Sequence, residues 1–198
     1  NCMYTFISED KQQLRIGIAK TTKADSTMSG DTSIQTKLED GKYLLAISDG
    51  KGSGKEARKA SKTAIAMLDR LLTSGFDKNS SLRMINSTLN AIGQEDMYAT
   101  LDIAILDLYA GNLEFIKNGA CPTYVKNRRN VEVLKSVSLP TGILNDIDLV
   151  VYDKDLQNGD ILVMCSDGIL DSNVEYKNKE LWIKYLLEDI NVVNPQKI

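Results

Sequence analysis

The sequence predicts an α+β domain, with antiparallel sheets and helices packed outside them, from three observations. Strand-like patterns come first, then two helical stretches, then a long series of short strands. The turns between strands carry hairpin signals such as Asp40-Gly41, Gly111-Asn112 and Asn158-Gly159. Two continuous apolar runs, Tyr43–Ile47 and Ile161–Cys165, each lead directly into Ser-Asp-Gly.

Residues 1–13 form a mixed opening, with a short strand expected at Met3–Ile7. Asn1 is not a natural initiator, so the chain reads as a piece of a longer protein. Leu14–Ala19 alternates Leu, Ile and Ile with Arg and Gly, which predicts a strand. Lys20–Met28 is polar and aperiodic, hence a loop, and Ser29-Gly30-Asp31 leads into a strand over Thr32–Leu38. That strand hairpins through Glu39-Asp40-Gly41-Lys42 into the Tyr43 strand, which stops at the carboxylate of Asp49. Gly50, Gly52 and Gly54 follow, and glycines let the backbone turn or come close to a ligand.

From Lys55 the period becomes helical, with Ala57, Ala60, Ala64, Met67, Leu68, Leu71 and Leu72 on one face. Ser74-Gly75 should end that helix with a left-handed cap. A second helix is expected to begin after Asn79 or Ser80 and run to Ile92, antiparallel to the first. Thr100–Leu108 pairs with Leu113–Lys117, and Thr123–Lys126 with Val131–Leu134. Leu149–Tyr152 and Ile161–Cys165 flank the turn at Gln157–Asp160, and Glu180–Ile190 predicts a last helix.

Composition narrows the chemistry. A chain of 198 residues is long enough for one domain with a sizeable core. Its net charge of −3 and lack of a basic run give no footprint for nucleic acid. No apolar stretch approaches a membrane span. Cys2, Cys121 and Cys165 are odd in number and scattered, forming neither a disulfide framework nor a zinc pattern, which fits a reducing, cytoplasmic compartment. There is no histidine, so Ser-His-Asp and Cys-His machinery and His-ligated zinc are excluded. Hydrolysis would have to rest on carboxylates, lysines, hydroxyls and a hard, oxygen-loving metal.

The turn Gly50-Lys51-Gly52-Ser53-Gly54-Lys55-Glu56 fails the phosphate-loop pattern, because three residues instead of four separate Gly50 from Gly54 and Glu56 stands where a hydroxyl is required. It also fails the dinucleotide fingerprint, which needs a βαβ unit. The D-x-G-x-G turn of histidine-kinase-type ATPases is matched by Asp49-Gly50-Lys51-Gly52 in part. The two Ser-Asp-Gly endings suggest that Asp49 and Asp167 meet at one point. Two such carboxylates repel unless a cation lies between them. Oxygen ligands without histidine favour Mg²⁺ or Mn²⁺, with Asp31 as a third candidate.

Taken together, these segments resemble the metal-dependent protein phosphatase family (type 2C), in the bacterial branch of the stage II sporulation protein E phosphatase domain. Ser29-Gly30-Asp31, Ile47-Ser48-Asp49-Gly50 with Gly52 and Gly54, and Thr100-Leu101-Asp102 match in the family's order. Asn118-Gly119-Ala120-Cys121-Pro122, Leu139-Pro140-Thr141-Gly142 and Met164-Cys165-Ser166-Asp167-Gly168 follow. The resemblance implies an α-β-β-α sandwich whose two antiparallel sheets pack on each other. It implies two Mn²⁺ or Mg²⁺ ions, with Asp49 bridging them, the Gly50 carbonyl and Asp167 as ligands of one each, and Asp31 as an early acidic ligand. The catalytic residues would thus be Asp49 and Asp167. The reaction implied is hydrolysis of a phosphoserine or phosphothreonine ester by water, with no phosphoenzyme. The substrate implied is a phosphorylated anti-anti-sigma factor in sporulation control.

Three departures from the family pattern stand out. Lys51 occupies the place of a histidine that some relatives use as a general acid. A phosphate-gripping arginine has no match before Asp31, with Lys23 the nearest candidate. A further metal aspartate, on a late strand after a final helix, would lie beyond Ile198, so a single truncated domain over residues 1–198, weakly active or inactive, is the expectation. A dimer, and attachment to a larger membrane-bound protein, are compatible with the resemblance. Two other functions stay open at this point: a nucleotide-binding module using the Asp49 turn, and a regulatory domain of the same fold without turnover.

Overall fold

A computed structural model describes residues 10–21, 29–50, 54–92, 98–135, 138–144, 150–191 and 194–197. The expected strand at Met3–Ile7, Lys23 and Lys51 lie outside them. The elements are β1 (Asp31–Lys37), β2 (Lys42–Asp49), α1 (Gly54–Thr73), α2 (Lys78–Ile92), β3 (Leu101–Asp107) and β4 (Asn112–Asn118). After these come β5 (Thr123–Lys126), β6 (Val131–Leu134), β7 (Val151–Asp155), β8 (Ile161–Val163), the single-turn α3 (Asp167–Leu170) and α4 (Lys179–Asp189). A 3₁₀ turn follows at Pro195–Lys197.

Two antiparallel sheets form, in the orders β1-β2-β3-β4-β7 and β6-β5-β8. Strand parity assigns each side chain to a layer, because successive residues point to opposite faces. Leu44, Ala46, Leu101, Ile103 and Ile105 face α1 and α2, where they meet Ala60, Ala64, Leu68, Leu82, Ile85 and Leu89. Their neighbours Tyr43, Leu45, Ala104, Leu106, Leu113 and Phe115 face the second sheet, against Val125 and Leu162. Beyond that sheet, Tyr124, Val131 and Val133 pack on Ile183 and Leu187 of α4. The layers are therefore α-β-β-α, as expected. Leu44, Leu68, Leu82 and Phe115 are fully buried, and each such side chain is worth about 1.5–3 kcal/mol of transfer free energy.

Local chemistry accounts for the element ends. After α1, Gly75 adopts φ 81°, and its N–H donates to the Leu72 carbonyl while Phe76 N–H reaches back to Leu71. That is a Schellman termination, which needs the left-handed residue that glycine supplies. Helix α2 starts earlier than periodicity suggests, at Lys78 rather than after Asn79 or Ser80. The reason is Asp77, whose carboxylate accepts from Ser80 N–H at 2.9 Å and caps the helix. Hydrogen bonds from the Ser80 side chain and, next, the Ser80 backbone hold the Asp77 carboxyl below its ordinary value.

Other expectations need correction. Leu14–Ala19 is not a strand. Leu14 and Ile16 are half-buried around the exposed Arg15, with Leu14 packed into the inter-sheet core, but the alternation breaks at Gly17 and Ile18 is exposed. The segment's backbone bonds go elsewhere, with Ile18 N–H and C=O both paired to the Gln196 amide. Alternation reports burial, and a strand needs a ladder as well. The strands flanking Gln157–Asp160 do not pair with each other: β7 joins β4 and β8 joins β5. The turn carries the chain from one sheet to the other. Strand β8 also ends at Val163, short of Cys165, so Asp167 opens the turn of α3 instead of closing a strand.

Candidate active site

Asp49 is the last residue of β2, and Asp31, the first of β1, is its direct register partner. Both side chains project toward the second sheet. Two contacts from Thr100, the residue before β3, fix the Asp49 backbone. Thr100 N–H donates to the Asp49 carbonyl at 2.8 Å, and Asp49 N–H donates to the Thr100 hydroxyl oxygen at 2.9 Å. Beyond Asp49 the chain passes under α1, with Gly50 bridged to Ala99 and Ala99 to Thr141. Gly50 is buried, and a β-carbon there would lie 2.9 Å from Ala57 Cα, with the Ala57 carbonyl closer still. Only glycine allows this approach of turn to helix.

The second sheet delivers Asp167 to the same place. Asp49, Asp102, Cys121, Ser166 and Asp167 line one cavity of about 30 Å³, roughly the share of one liquid water. The Ser166 hydroxyl donates to Asp31 Oδ2 at 2.7 Å, tying the second Ser-Asp-Gly to the first strand. Asp31, Asp49, Gly50 and Asp167 all line the open cleft between the sheets, and the three carboxylates are half-buried. The four residues singled out from sequence are thus brought together.

The carboxylate donors fit a hard cation in kind. A β-carbon on Gly30 would come to 3.4 Å from both Asp49 Oδ1 and the Gly50 carbonyl oxygen, which places Gly30 directly beside these two oxygens. Among the described residues, however, no three acidic or thiol side chains converge as ligands of one ion. The acids form two pairs that share Asp49, one with Asp31 in register and one with Asp167 across the cavity.

Behind the cavity lies a charged cluster that sequence reasoning missed. Lys117 is fully buried, and its ammonium donates to Asp102 Oδ1 at 2.5 Å and to the Thr123 hydroxyl at 2.7 Å. The Thr123 hydroxyl donates to Asp102 Oδ2 at 2.8 Å. Burial pushes the Asp102 carboxyl up, and the Lys117 charge with the two hydrogen bonds pulls against it. A signal was available in the parity of the strands. Asp102 shares its face with Ala104 and Leu106, and Lys117 shares its face with Leu113 and Phe115. A charged residue on an apolar strand face is rarely solvated. Cys121, in the same cavity, has its thiol pushed up to about 12, mainly by burial and further by Cys165, Asp167, Asp102 and Asp49.

A sandwich of two antiparallel sheets with an acid row at one end is the architecture of PP2C phosphatase domains. The PP2C phosphatase domain of SpoIIE from Bacillus subtilis, solved with a fragment of its regulatory domain, superposes at a TM-score of 0.83 with 35% identity. That match covers 91% of this chain and 52% of the solved one. The family model of stage II sporulation protein E (SpoIIE) matches residues 39–197. The chain belongs to the stage II sporulation protein E family. It is 34% identical over 193 residues to stage II sporulation protein E of Bacillus subtilis (strain 168), a match covering 98% of this chain and 23% of that protein. This chain therefore spans about a quarter of that relative's length. A more distant relative is the phosphoserine phosphatase RsbU of the same organism, 23% identical, with 85% of this chain and 54% of that one covered. None of these relatives is named as a nucleotide-binding module, and no observation favours that alternative.

Proposed function

We propose that this chain is a divalent-cation-dependent protein phosphatase that hydrolyses phosphoserine or phosphothreonine esters. The observation that carries this is that Asp49 and Asp167 line one small cavity, with Asp31 the register partner of Asp49. Mn²⁺ or Mg²⁺ would be held by Asp49, the Gly50 carbonyl, Asp31 and Asp167. Such ions supply charge neutralisation at the phosphoryl group and lower the pKa of water.

The chain's own residues account for the rest. Thr100 holds Asp49 at the strand end, and Ser166 orients Asp31 by donating to one of its oxygens. Glycine at position 50 lets the chain beside Asp49 lie against α1. With no histidine in the chain, the leaving alkoxide takes its proton from water or from Lys51.

As substrate we propose a phosphorylated protein of the anti-anti-sigma type, met in the cytoplasm, by likeness to the sporulation proteins. Association as a dimer belongs to the same proposal. No helix among the described residues is long and apolar enough to cross a membrane.

The test is turnover of a phosphoserine peptide with Mn²⁺ or Mg²⁺, compared with excess chelator. Asp49→Asn and Asp167→Asn should abolish turnover while circular dichroism shows a folded protein. Undiminished hydrolysis in chelator, or by Asp49→Asn, rules the proposal out.

A further inference from the structure

We propose that Lys117, Asp102 and Thr123 form a positioning unit, a buried charged clasp that joins the two sheets and sets the separation of Asp49 and Asp167. Asp102 and Lys117 are register partners on β3 and β4 of the five-stranded sheet, and Thr123 opens β5 of the other sheet. The three groups close a ring: ammonium to carboxylate, ammonium to hydroxyl, hydroxyl to carboxylate. Both Asp102 oxygens are engaged in it. Asp102 therefore lines the cavity with Asp49 and Asp167 yet is held back toward the clasp.

The clasp reaches each acid by a short path. On β3, Asp102 is two residues from Thr100, which holds Asp49 through its N–H and hydroxyl. On the neighbouring strand, Asp102 is the register partner of Ile47, itself two residues from Asp49. In the second sheet, Thr123 is two residues from Cys121 on the cavity wall. Strand β5 pairs with β8, whose exit carries Ser166 and Asp167. A change in spacing at the clasp is passed to both halves of the acid pair.

Stability alone does not account for this choice of residues. A buried ion pair contributes little more, and often less, than apolar side chains of the same volume would. What it adds is direction, since hydrogen bonds fix angles and distances that hydrophobic packing leaves adjustable. The clasp is placed where two sheets that touch mainly through apolar side chains must be held in one alignment. An error of about 1 Å at a reacting centre costs on the order of 10²-fold in rate.

The inference rests on the phosphatase proposal, so its test includes a measurement that does not depend on turnover. Thr123→Val keeps the shape of the side chain and removes the hydroxyl, whereas Thr123→Ser keeps the hydroxyl. The Asp102→Asn/Lys117→Met double variant removes both charges together and avoids stranding either one. For each, three quantities are measured: amide NMR shifts of Gly50 and Gly168, binding of Mn²⁺ alone by calorimetry, and kcat and KM on a phosphoserine peptide. We expect Thr123→Val and the double variant to move both amide signals, to weaken Mn²⁺ binding, and to lower kcat about 10²-fold with KM little changed. Thr123→Ser should restore all three. Variants that lose thermal stability but leave the Gly50 and Gly168 signals unmoved would overturn the inference and make the clasp a packing feature only. Absence of turnover in the unmodified chain bears on the phosphatase proposal alone, and the amide signals with Mn²⁺ binding then decide the positioning role.

Discussion

Replacing Gly50 with alanine tests whether the turn beside Asp49 is built by contact with α1. A β-carbon at position 50 would stand 2.9 Å from Ala57 Cα, where carbon atoms ordinarily rest about 3.5–4.0 Å apart. The Ala57 carbonyl lies nearer still, so the first turn of α1 or the end of β2 must yield by well over ~1 Å. The obstacle is helix backbone, which has no rotamer to relieve the clash. Overpacking of this kind costs about 1–3 kcal/mol, and a shift of about 1 Å at Asp49 predicts a loss on the order of 10²-fold in kcat. Gly75→Ala is the matched control. Gly75 has φ 81° with no neighbouring atom to obstruct a β-carbon, so that substitution should cost about 1 kcal/mol through backbone conformation and leave turnover unchanged. The assay is phosphoserine-peptide turnover at saturating Mn²⁺, alongside urea unfolding of each variant. Gly50→Ala with wild-type kcat and stability would show that the turn has room to spare and that its glycine is not required by α1.

Cys121 should be inert to thiol reagents at pH 8 in the folded protein and reactive once it is unfolded, because its thiol is pushed up to about 12. A raised thiol contributes stability that is complete below the ordinary thiol value and is lost as pH climbs toward the folded one. Unfolding free energy should thus fall above about pH 9, and Cys121→Ala should flatten that limb. Asp77→Ala should lower the melting temperature by removing the cap of α2, while Asp77→Asn should retain the cap. Since the Asp77 carboxyl lies below its ordinary value, its contribution is present above the ordinary carboxylate range and lost as pH falls through the folded value. Asp77→Asn should remove that part of the acid dependence in a pH titration of stability. Leu82→Ala, at a fully buried position between α2 and the sheet, should cost about 2–5 kcal/mol in urea unfolding.

Much of this protein was determined by sequence alone, and the reason is locality. The end of α1 follows from Gly75, the β1–β2 and β3–β4 hairpins from their turn residues, and the β5–β6 hairpin from the polar turn Asn127-Arg128-Arg129-Asn130. Asp49, Gly50 and Asp167 were singled out because each follows an apolar run beside small residues, and Asp31 because it follows Ser29-Gly30. Position relative to a distant strand was not legible. Leu14–Ala19 has a strand's alternation and no ladder, because a hydrogen-bonding partner is a tertiary fact. The strands on either side of Gln157–Asp160 look like a hairpin in sequence, yet β4 and β5 compete for them and draw them into different sheets. The Asp102–Lys117–Thr123 clasp likewise exists only where β3, β4 and β5 converge. Charge pairing across strands depends on register and on which face is enclosed, and both are decided when the sheets pack.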